Sequence, residues 1–134
     1  MRFHKYKPEY ALELMRLASS DFLSGNALVQ TKMRIENACF FYQQSVEKCL
    51  KAVLVSKEIS FPSIHDLHTL LALLPEIEPS CPNSHDIPTL NIYAAQRRYE
   101  EGPVEATEED AKLAKDLAQA VLNWAQNIVD VKAI

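Results

Sequence analysis

Glycine is scarce in this chain, which contains only Gly25 and Gly102 among 134 residues. Average usage of about 7% would place roughly nine glycines in a chain of this length. Small β-sandwiches and barrels need glycine at many turns, and loops that bind phosphate need it where the backbone approaches the ligand. The two glycines therefore exclude a Walker A or GxGxxG loop and favour a helical fold with few connections.

Apolar residues recur at helical spacing along most of the chain, and prolines separate the periodic segments. A chain of this length corresponds to one domain with a sizeable core. We therefore predict a single all-α domain over residues 1–134, an up-and-down bundle of four to five antiparallel helices. The predicted helices span about residues 8–28, 32–58, 66–74, 87–100 and 108–131.

The longest predicted helix, residues 32–58, has an apolar face that Phe40 and Phe41 widen, so we expect it to have neighbours on more than one side. The last predicted helix begins with Thr107 and Asp110 in a capping-box-like arrangement. The proline-rich residues 75–82 are predicted to form a loop.

The net charge of −4 is unevenly distributed, because residues 1–57 carry +4 and residues 58–134 carry −8. The chain as a whole is no polycationic nucleic-acid binder. The charges either form ordinary solvated helix faces or give the first half of the bundle a positive face.

The three cysteines show no CxxC spacing, and Cys39 and Cys49 lie within apolar helical patterns. This usage indicates a reducing compartment. Acidic residues interrupt the sequence after the basic N-terminus, and we find no signal peptide and no apolar run of about 18 residues. We predict a cytoplasmic protein with no membrane span.

Polar residues Gln44, Glu47, Lys48 and Lys51 follow one another at helical spacing within residues 32–58, and we predict that they share one face. Glu47 and Lys51 have the favourable order for an ion pair at i and i+4. The amides Gln43 and Gln44, beside three aromatic residues, are predicted to make specific hydrogen bonds.

Arg97 and Arg98 continue the apolar stripe of the fourth predicted helix. A guanidinium on such a face needs a carboxylate, backbone carbonyls or an anion as its partner. One interpretation is an internal ion pair, for instance with Glu47. The other is a groove in which the planar guanidinium holds a phosphate.

Four potential zinc ligands flank the proline-rich loop, His65 and His68 before it and Cys81 and His85 at and after its end. Their spacing matches no strong zinc signature. We therefore predict no metal site, solvent-facing histidines, and helix capping by Asp66 and Asp86.

Three short segments form a recognisable set. Residues 42–52 read YQQSVEKCLKA, residues 65–67 read HDL, and Arg98-Tyr99 is followed by Glu100. Taken together they resemble the HEPN family (higher eukaryotes and prokaryotes nucleotide-binding domains), with its Q-x-x-E-K-x-L-K-A signature, its H-D-L turn and its R-Y-P, in which proline is usual where this chain has Glu100. The match covers nearly the whole chain in the family's order.

This resemblance implies a helical bundle that frequently forms homodimers and is encoded beside a minimal nucleotidyltransferase in toxin–antitoxin-like modules. It also implies that many members are metal-independent ribonucleases with an Arg-x4–6-His motif. This chain departs from that motif, because residues 99–107 contain no histidine after Arg97 and Arg98.

The leading hypothesis is a nucleotide- or RNA-associated module that lacks this local motif, dimerises and partners a nucleotidyltransferase. One alternative is a metal-independent endoribonuclease with Arg98 and a spatially adjacent His65 as catalytic candidates; another is a dimerising scaffold without a ligand. We expect no cofactor. The residues predicted to bind nucleotide or phosphate are Arg97, Arg98, Tyr99, Gln44, Glu47, Lys48 and Lys51.

Overall fold

The computed structural model describes residues 2–31, 33–98 and 105–133, with side chains described for 2–31, 33–94 and 105–130. A two-residue strand β1 (Phe3–His4) and a second one, β2 (Phe61–Pro62), accompany the helices. A 3-10 turn, Ile87–Leu90, leads into the fourth helix. The helices within the described ranges are α1 (Tyr10–Val29), α2 (Ile35–Ser56), α3 (Leu67–Leu73), α4 (Asn91–Arg98) and α5 (Glu108–Ala133).

The predicted all-α, single-domain fold is confirmed. The fourth segment differs in detail, because it opens as a 3-10 turn with proline near its start and becomes α-helical only at Asn91. The sequence did not predict the β1–β2 pair, in which Phe3 lies opposite Pro62 and His4 opposite Phe61 in antiparallel register.

Helix α2 lies at the centre of the fold and contacts all four other helices. Fourteen of its 22 residues are buried, too many for a single apolar stripe. This confirms the expectation of neighbours on more than one side. The central position also explains why polar side chains such as Gln43 and Glu47 become buried on this helix.

Helix α2 runs antiparallel to α1 and in the same direction as α5. The Ser45 hydroxyl donates to the Ala18 carbonyl oxygen at 2.8 Å, and the Tyr42 hydroxyl donates to Asn26 Oδ1 at 2.7 Å, so α1 and α2 run antiparallel. Near the beginning of α2, the Cys39 thiol lies close to Tyr93 of α4 and to Asp110 of α5. Helix α5 therefore begins at the same end of the bundle as α2.

Gly25 permits a close approach between α1 and α2. A Cβ atom built at this position would lie 2.6 Å from Cε1 of Tyr42, well inside van der Waals contact. Because the Tyr42 ring is fully buried, it has no free space into which it could move. Gly25, which in the composition indicated only a helical fold, is thus required for packing. Helix α1 continues past it to Val29.

Two of the three predicted helix caps are confirmed. The Asp66 carboxylate accepts from the His68 backbone N–H at 3.2 Å, and Thr107 and Asp110 bond reciprocally at the start of α5. The predicted Asp86 cap is wrong. Its backbone is already helical and its side chain makes no cap hydrogen bond, because the 3-10 turn begins there.

The predicted burial of Cys39 and Cys49 is also confirmed. Burial raises the pKa of the Cys39 thiol to about 11 and that of Cys49 further, so both are neutral, apolar groups at physiological pH. None of the described helices combines the length and apolar character needed to cross a membrane.

Candidate functional site

A buried carboxylate on the central helix organises the candidate site. Glu47 is only 3% exposed, although charged side chains are rarely buried without partners. Gln43 and Lys51 lie one helical turn before and after it and therefore share its face of α2. We call Gln43, Glu47, Lys51 and His65 the Glu47 cluster.

Both carboxylate oxygens of Glu47 have two partners. Oε1 accepts from Gln43 Nε2 at 3.3 Å and lies 3.1 Å from His65 Nδ1. Oε2 lies 3.0 Å from both Lys51 Nζ and His65 Nδ1. This confirms the predicted Glu47–Lys51 ion pair and explains how a buried carboxylate is tolerated, since charge and lone pairs are both satisfied.

The predicted amide hydrogen bonds of Gln43 and Gln44 are confirmed as well. Gln44 Nε2 donates to Gln43 Oε1 at 2.7 Å, which leaves the Gln43 amide nitrogen directed to Glu47. Gln43 is completely buried and was missing from the predicted site residues. Its position four residues before Glu47 is the signal that could have identified it.

His65 is the exposed member of the Glu47 cluster, with 46% of its side chain accessible. Because a carboxylate only accepts hydrogen bonds, Nδ1 carries the hydrogen in this contact. The second ring nitrogen, Nε2, is then the acceptor in the neutral ring, and no described residue donates to it. The carboxylate therefore fixes both the tautomer and the orientation of the imidazole.

The loop that carries His65 is fastened to two helices by its neighbour Asp66. Asp66 Oδ1 caps α3 and accepts from Asn91 Nδ2 at 2.8 Å, while Asn91 Oδ1 accepts from the Leu67 backbone N–H at 2.9 Å. The hydrogen bond from Thr69, helped by those from His68 and Asn91, lowers the pKa of Asp66. The H-D-L residues thus hold α4 at its first residue.

From Asn91, helix α4 leads away from His65. Tyr93 already lies against Cys39 near the beginning of α2, eight residues before Glu47. The structure describes the backbone of Arg97 and Arg98 in α4 but not their side chains. Tyr99 lies outside the described residues. The Arg98–His65 pair, the Arg–Glu47 pair and phosphate binding by these residues stay predictions.

Two polar residues that we predicted to share one face of α2 have their partners on different helices. The Lys48 ammonium forms an ion pair with Asp21 of α1, whereas Lys51 pairs with Glu47 on α2 itself. Helical spacing places Lys48 and Lys51 near each other but does not determine which partner each side chain finds. Nothing in the local sequence pattern identifies Asp21 as the partner.

The four potential zinc ligands do not converge. Within the described ranges, no three His, Cys, Asp or Glu side chains are grouped so that they could hold a metal ion. His68, Cys81 and His85 line an open groove of about 950 Å³ beside Trp124, and both of these histidines are exposed as predicted. Burial raises the pKa of the Cys81 thiol to about 12, so the thiol is protonated at neutral pH.

Chemically, the Glu47 cluster is an imidazole held by a carboxylate beside an ammonium group. A carboxylate that holds one ring nitrogen of an imidazole leaves the other nitrogen to give or accept a proton. The cluster therefore has the form of an acid–base group.

No curated protein and no solved structure matches the chain significantly. The family model for the HEPN domain matches residues 11–128, which include α1, α2, α3, α4 and most of α5. The chain belongs to the HEPN domain family.

Proposed function

We propose that this protein is a non-catalytic HEPN module that dimerises, associates with nucleotide or RNA, and partners a minimal nucleotidyltransferase in a toxin–antitoxin-like pair in the cytoplasm. The observation that carries the proposal is the HEPN match over residues 11–128. The missing local motif supports a role without catalysis, because residues 99–107 supply no histidine after Arg97 and Arg98.

The charges on α2 support assigning phosphate to the end of α4. Lys48 is paired with Asp21 and Lys51 with Glu47, so neither ammonium is a free positive charge. We therefore assign the direct phosphate contacts to Arg97 and Arg98, whose planar guanidinium groups can bind two oxygens at once. Tyr99 follows these arginines in sequence and supplies an aromatic ring for a base.

Affinity purification of the tagged protein from its native host tests the partnership. We expect a nucleotidyltransferase to be recovered with it. Recovery of the protein alone, from a host with no nucleotidyltransferase encoded beside it, would contradict the proposal.

Calorimetric titration with nucleoside triphosphates tests the ligand. We expect binding that weakens with salt and is lost in the Arg97→Ala/Arg98→Ala variant. The matched control is Arg16→Ala, since Arg16 is an exposed arginine of α1 whose ion-pair partner among the described residues is Glu13. Equal binding by both variants would contradict the assignment, and no binding of any nucleotide or RNA would favour a ligand-free scaffold.

One observation favours a second candidate, a metal-independent endoribonuclease. Glu47 holds Nδ1 of His65 and leaves Nε2 accessible, which is the arrangement of a general acid or base. Cleavage of single-stranded RNA in the presence of a metal chelator tests it. Activity that falls at least about 100-fold in His65→Ala would establish this candidate. Equal rates for wild type, His65→Ala and Arg98→Ala would exclude it.

A further inference from the structure

The N-terminal segment is exposed and contains aromatic and basic residues that follow one another in the sequence. All of residues 2–10 are exposed, and the segment lies outside the described contacts of the Glu47 carboxylate. Its only acidic residue is Glu9. Its rings are Phe3, His4, Tyr6 and Tyr10, and its basic residues are Arg2, Lys5 and Lys7.

The rings form an ordered stack. The ring centroid of Tyr6 lies 5.0 Å from that of Tyr10 and 5.5 Å from that of Phe61, with the planes tilted by 33° in both pairs. His4 extends the row, 6.3 Å from Tyr6. These are normal distances for aromatic pairs. We call His4, Tyr6 and Tyr10 the aromatic platform.

The aromatic platform is held at both ends. On one side β1 pairs with β2, which sets His4 opposite the buried residue Phe61. On the other side the Tyr10 backbone N–H donates to the Lys7 carbonyl oxygen at 3.0 Å and starts α1. A platform fixed in this way can bind a flat ligand without first being ordered, which lowers the entropic cost of binding.

Tyr6 and Tyr10 remain more exposed than residues that serve only to attach the segment to the fold. Tyr6 remains 38% exposed and Tyr10 37%, whereas Phe61, on which Tyr6 stacks, is 3% exposed. The buried ring already attaches the segment to the fold. The exposed parts of Tyr6 and Tyr10 are therefore available to a ligand.

The surroundings of the aromatic platform suit a polyanion. Lys5 and Lys7 alternate with its rings along the segment. Lys51 Nζ lies 5.9 Å from the Phe61 ring centroid and also pairs with Glu47, so the platform adjoins the Glu47 cluster. Aromatic side chains combined with basic ones are the composition of surfaces that bind single-stranded nucleic acids.

We propose that the aromatic platform binds single-stranded RNA, with bases stacked on Tyr6 and Tyr10 and phosphates contacted by Arg2, Lys5 and Lys7. The strand must be single because only unpaired bases expose their faces to side chains. The inference rests on the RNA association in the proposed function and gives it a site separate from Arg97 and Arg98. Stacking on rings makes this site tolerant of sequence.

Fluorescence anisotropy with a labelled oligouridine of about 12 nucleotides tests the stacking part. We expect Tyr6→Ala to weaken binding by roughly tenfold, the loss of one stacked base, and Tyr6→Phe to bind nearly as well as the wild type. Duplex RNA of the same length should bind much more weakly. Equal affinity of wild type and Tyr6→Ala, or of single strand and duplex, would overturn the proposal.

The salt dependence of the same binding tests the phosphate contacts. Each lysine removed should reduce the slope of log K against log salt by about 0.7, so Lys5→Ala/Lys7→Ala should lose about 1.4. The matched control is Lys112→Ala/Lys115→Ala, which removes two exposed lysines from α5 and should leave the slope unchanged. Equal slopes in the two double variants would overturn the assignment.

The two proposals fail in different ways. If the wild type binds the RNA and every platform variant binds it equally, the aromatic platform is not the site and the proposed function stands. If no RNA binds, the platform proposal fails, while recovery of the nucleotidyltransferase still supports the proposed partnership. If Lys5→Ala/Lys7→Ala loses the nucleotidyltransferase instead of RNA, the surface is a protein interface, which overturns the RNA assignment.

Discussion

Lys48 and Lys51 lie three residues apart on α2, and each is paired with a carboxylate, but the two pairs differ in kind. Lys48 reaches Asp21 on α1 and joins two helices at one contact. Lys51 reaches Glu47, whose oxygens also bond Gln43 and His65. The Lys48–Asp21 contact is a single ion pair between two helices, whereas the Glu47 carboxylate connects α2 to the loop before α3. We therefore expect the two sides of α2 to respond differently to mutation.

The largest effect is expected for Glu47→Ala. It leaves the Lys51 ammonium, whose side chain is 15% exposed, without its carboxylate and removes the acceptor of the buried Gln43 amide. We expect the free energy of unfolding to fall by about 3 kcal/mol, the lower end for a broken buried ion pair, because His65 and Lys51 keep some access to water. Urea denaturation measures it.

Glu13→Ala is the control for this variant, since Glu13 is an exposed glutamate that pairs only with Arg16 in the described structure. Its stability should stay close to that of the wild type. Equal losses in Glu47→Ala and Glu13→Ala would mean that the Glu47 cluster has no stabilising role.

The next effect concerns the side of α2 that faces α1. Gly25→Ala places a methyl group 2.6 Å from the buried Tyr42 ring, so we expect a loss of about 2 kcal/mol from overpacking. Ser20→Ala, at an exposed position of the same helix, should cost nothing. The direction of the change is informative, because Gly→Ala within an unobstructed helix increases the stability of a protein. An increase in thermal midpoint for Gly25→Ala would contradict the packing.

A smaller effect on stability is expected for the Lys48–Asp21 pair. Lys48→Met should lower the free energy of unfolding by no more than about 1 kcal/mol, because a partly exposed pair gains little over its solvated ions. A double-mutant cycle with Asp21→Asn measures the coupling, which should shrink as salt is added. A coupling above that of the Glu47 cluster would reverse the comparison between the two pairs.

The smallest effect is expected for the stability of the protein at acidic pH, and it concerns Asp66, next to His65. Hydrogen bonds from Thr69, His68 and Asn91 lower the pKa of Asp66 below its ordinary value of 3.8. Asp66 therefore contributes stability that is complete above about pH 4 and is lost as pH falls through its lowered value. Asp66→Asn, which retains a good capping side chain, should flatten this part of the pH–stability curve. An unchanged curve would contradict the linkage.

Local patterns predicted much of the fold because each helix carries its own signals. The capping residues Asp66 and Thr107 and the apolar stripes of α1 and α5 are readable without knowing any partner. Gly25 is different, since its role depends on a ring 17 residues away that composition does not reveal. The β1–β2 pair was missed for a similar reason, because two-residue strands leave no alternating pattern.

The candidate site was predictable only along one helix. The Glu47–Lys51 pair follows from spacing alone, whereas the contact of Glu47 with His65 crosses 18 residues of chain. The partner of Lys48 was not predicted, because spacing describes which residues of one helix lie together and not which residue of a neighbouring helix they meet. The family signature contains Glu47, Lys48 and Lys51, but it carries no information on which residues touch.

The indole of Trp124 donates its N–H to the Pro79 carbonyl oxygen at 2.7 Å, and it is the only tryptophan in the chain. Its fluorescence therefore depends on one local environment, the contact between α5 and the proline-rich loop. Emission that shifts to the red before helical circular dichroism is lost would record the loop detaching from an intact bundle. The protein thus carries a built-in optical probe of its groove that is independent of the Glu47 cluster.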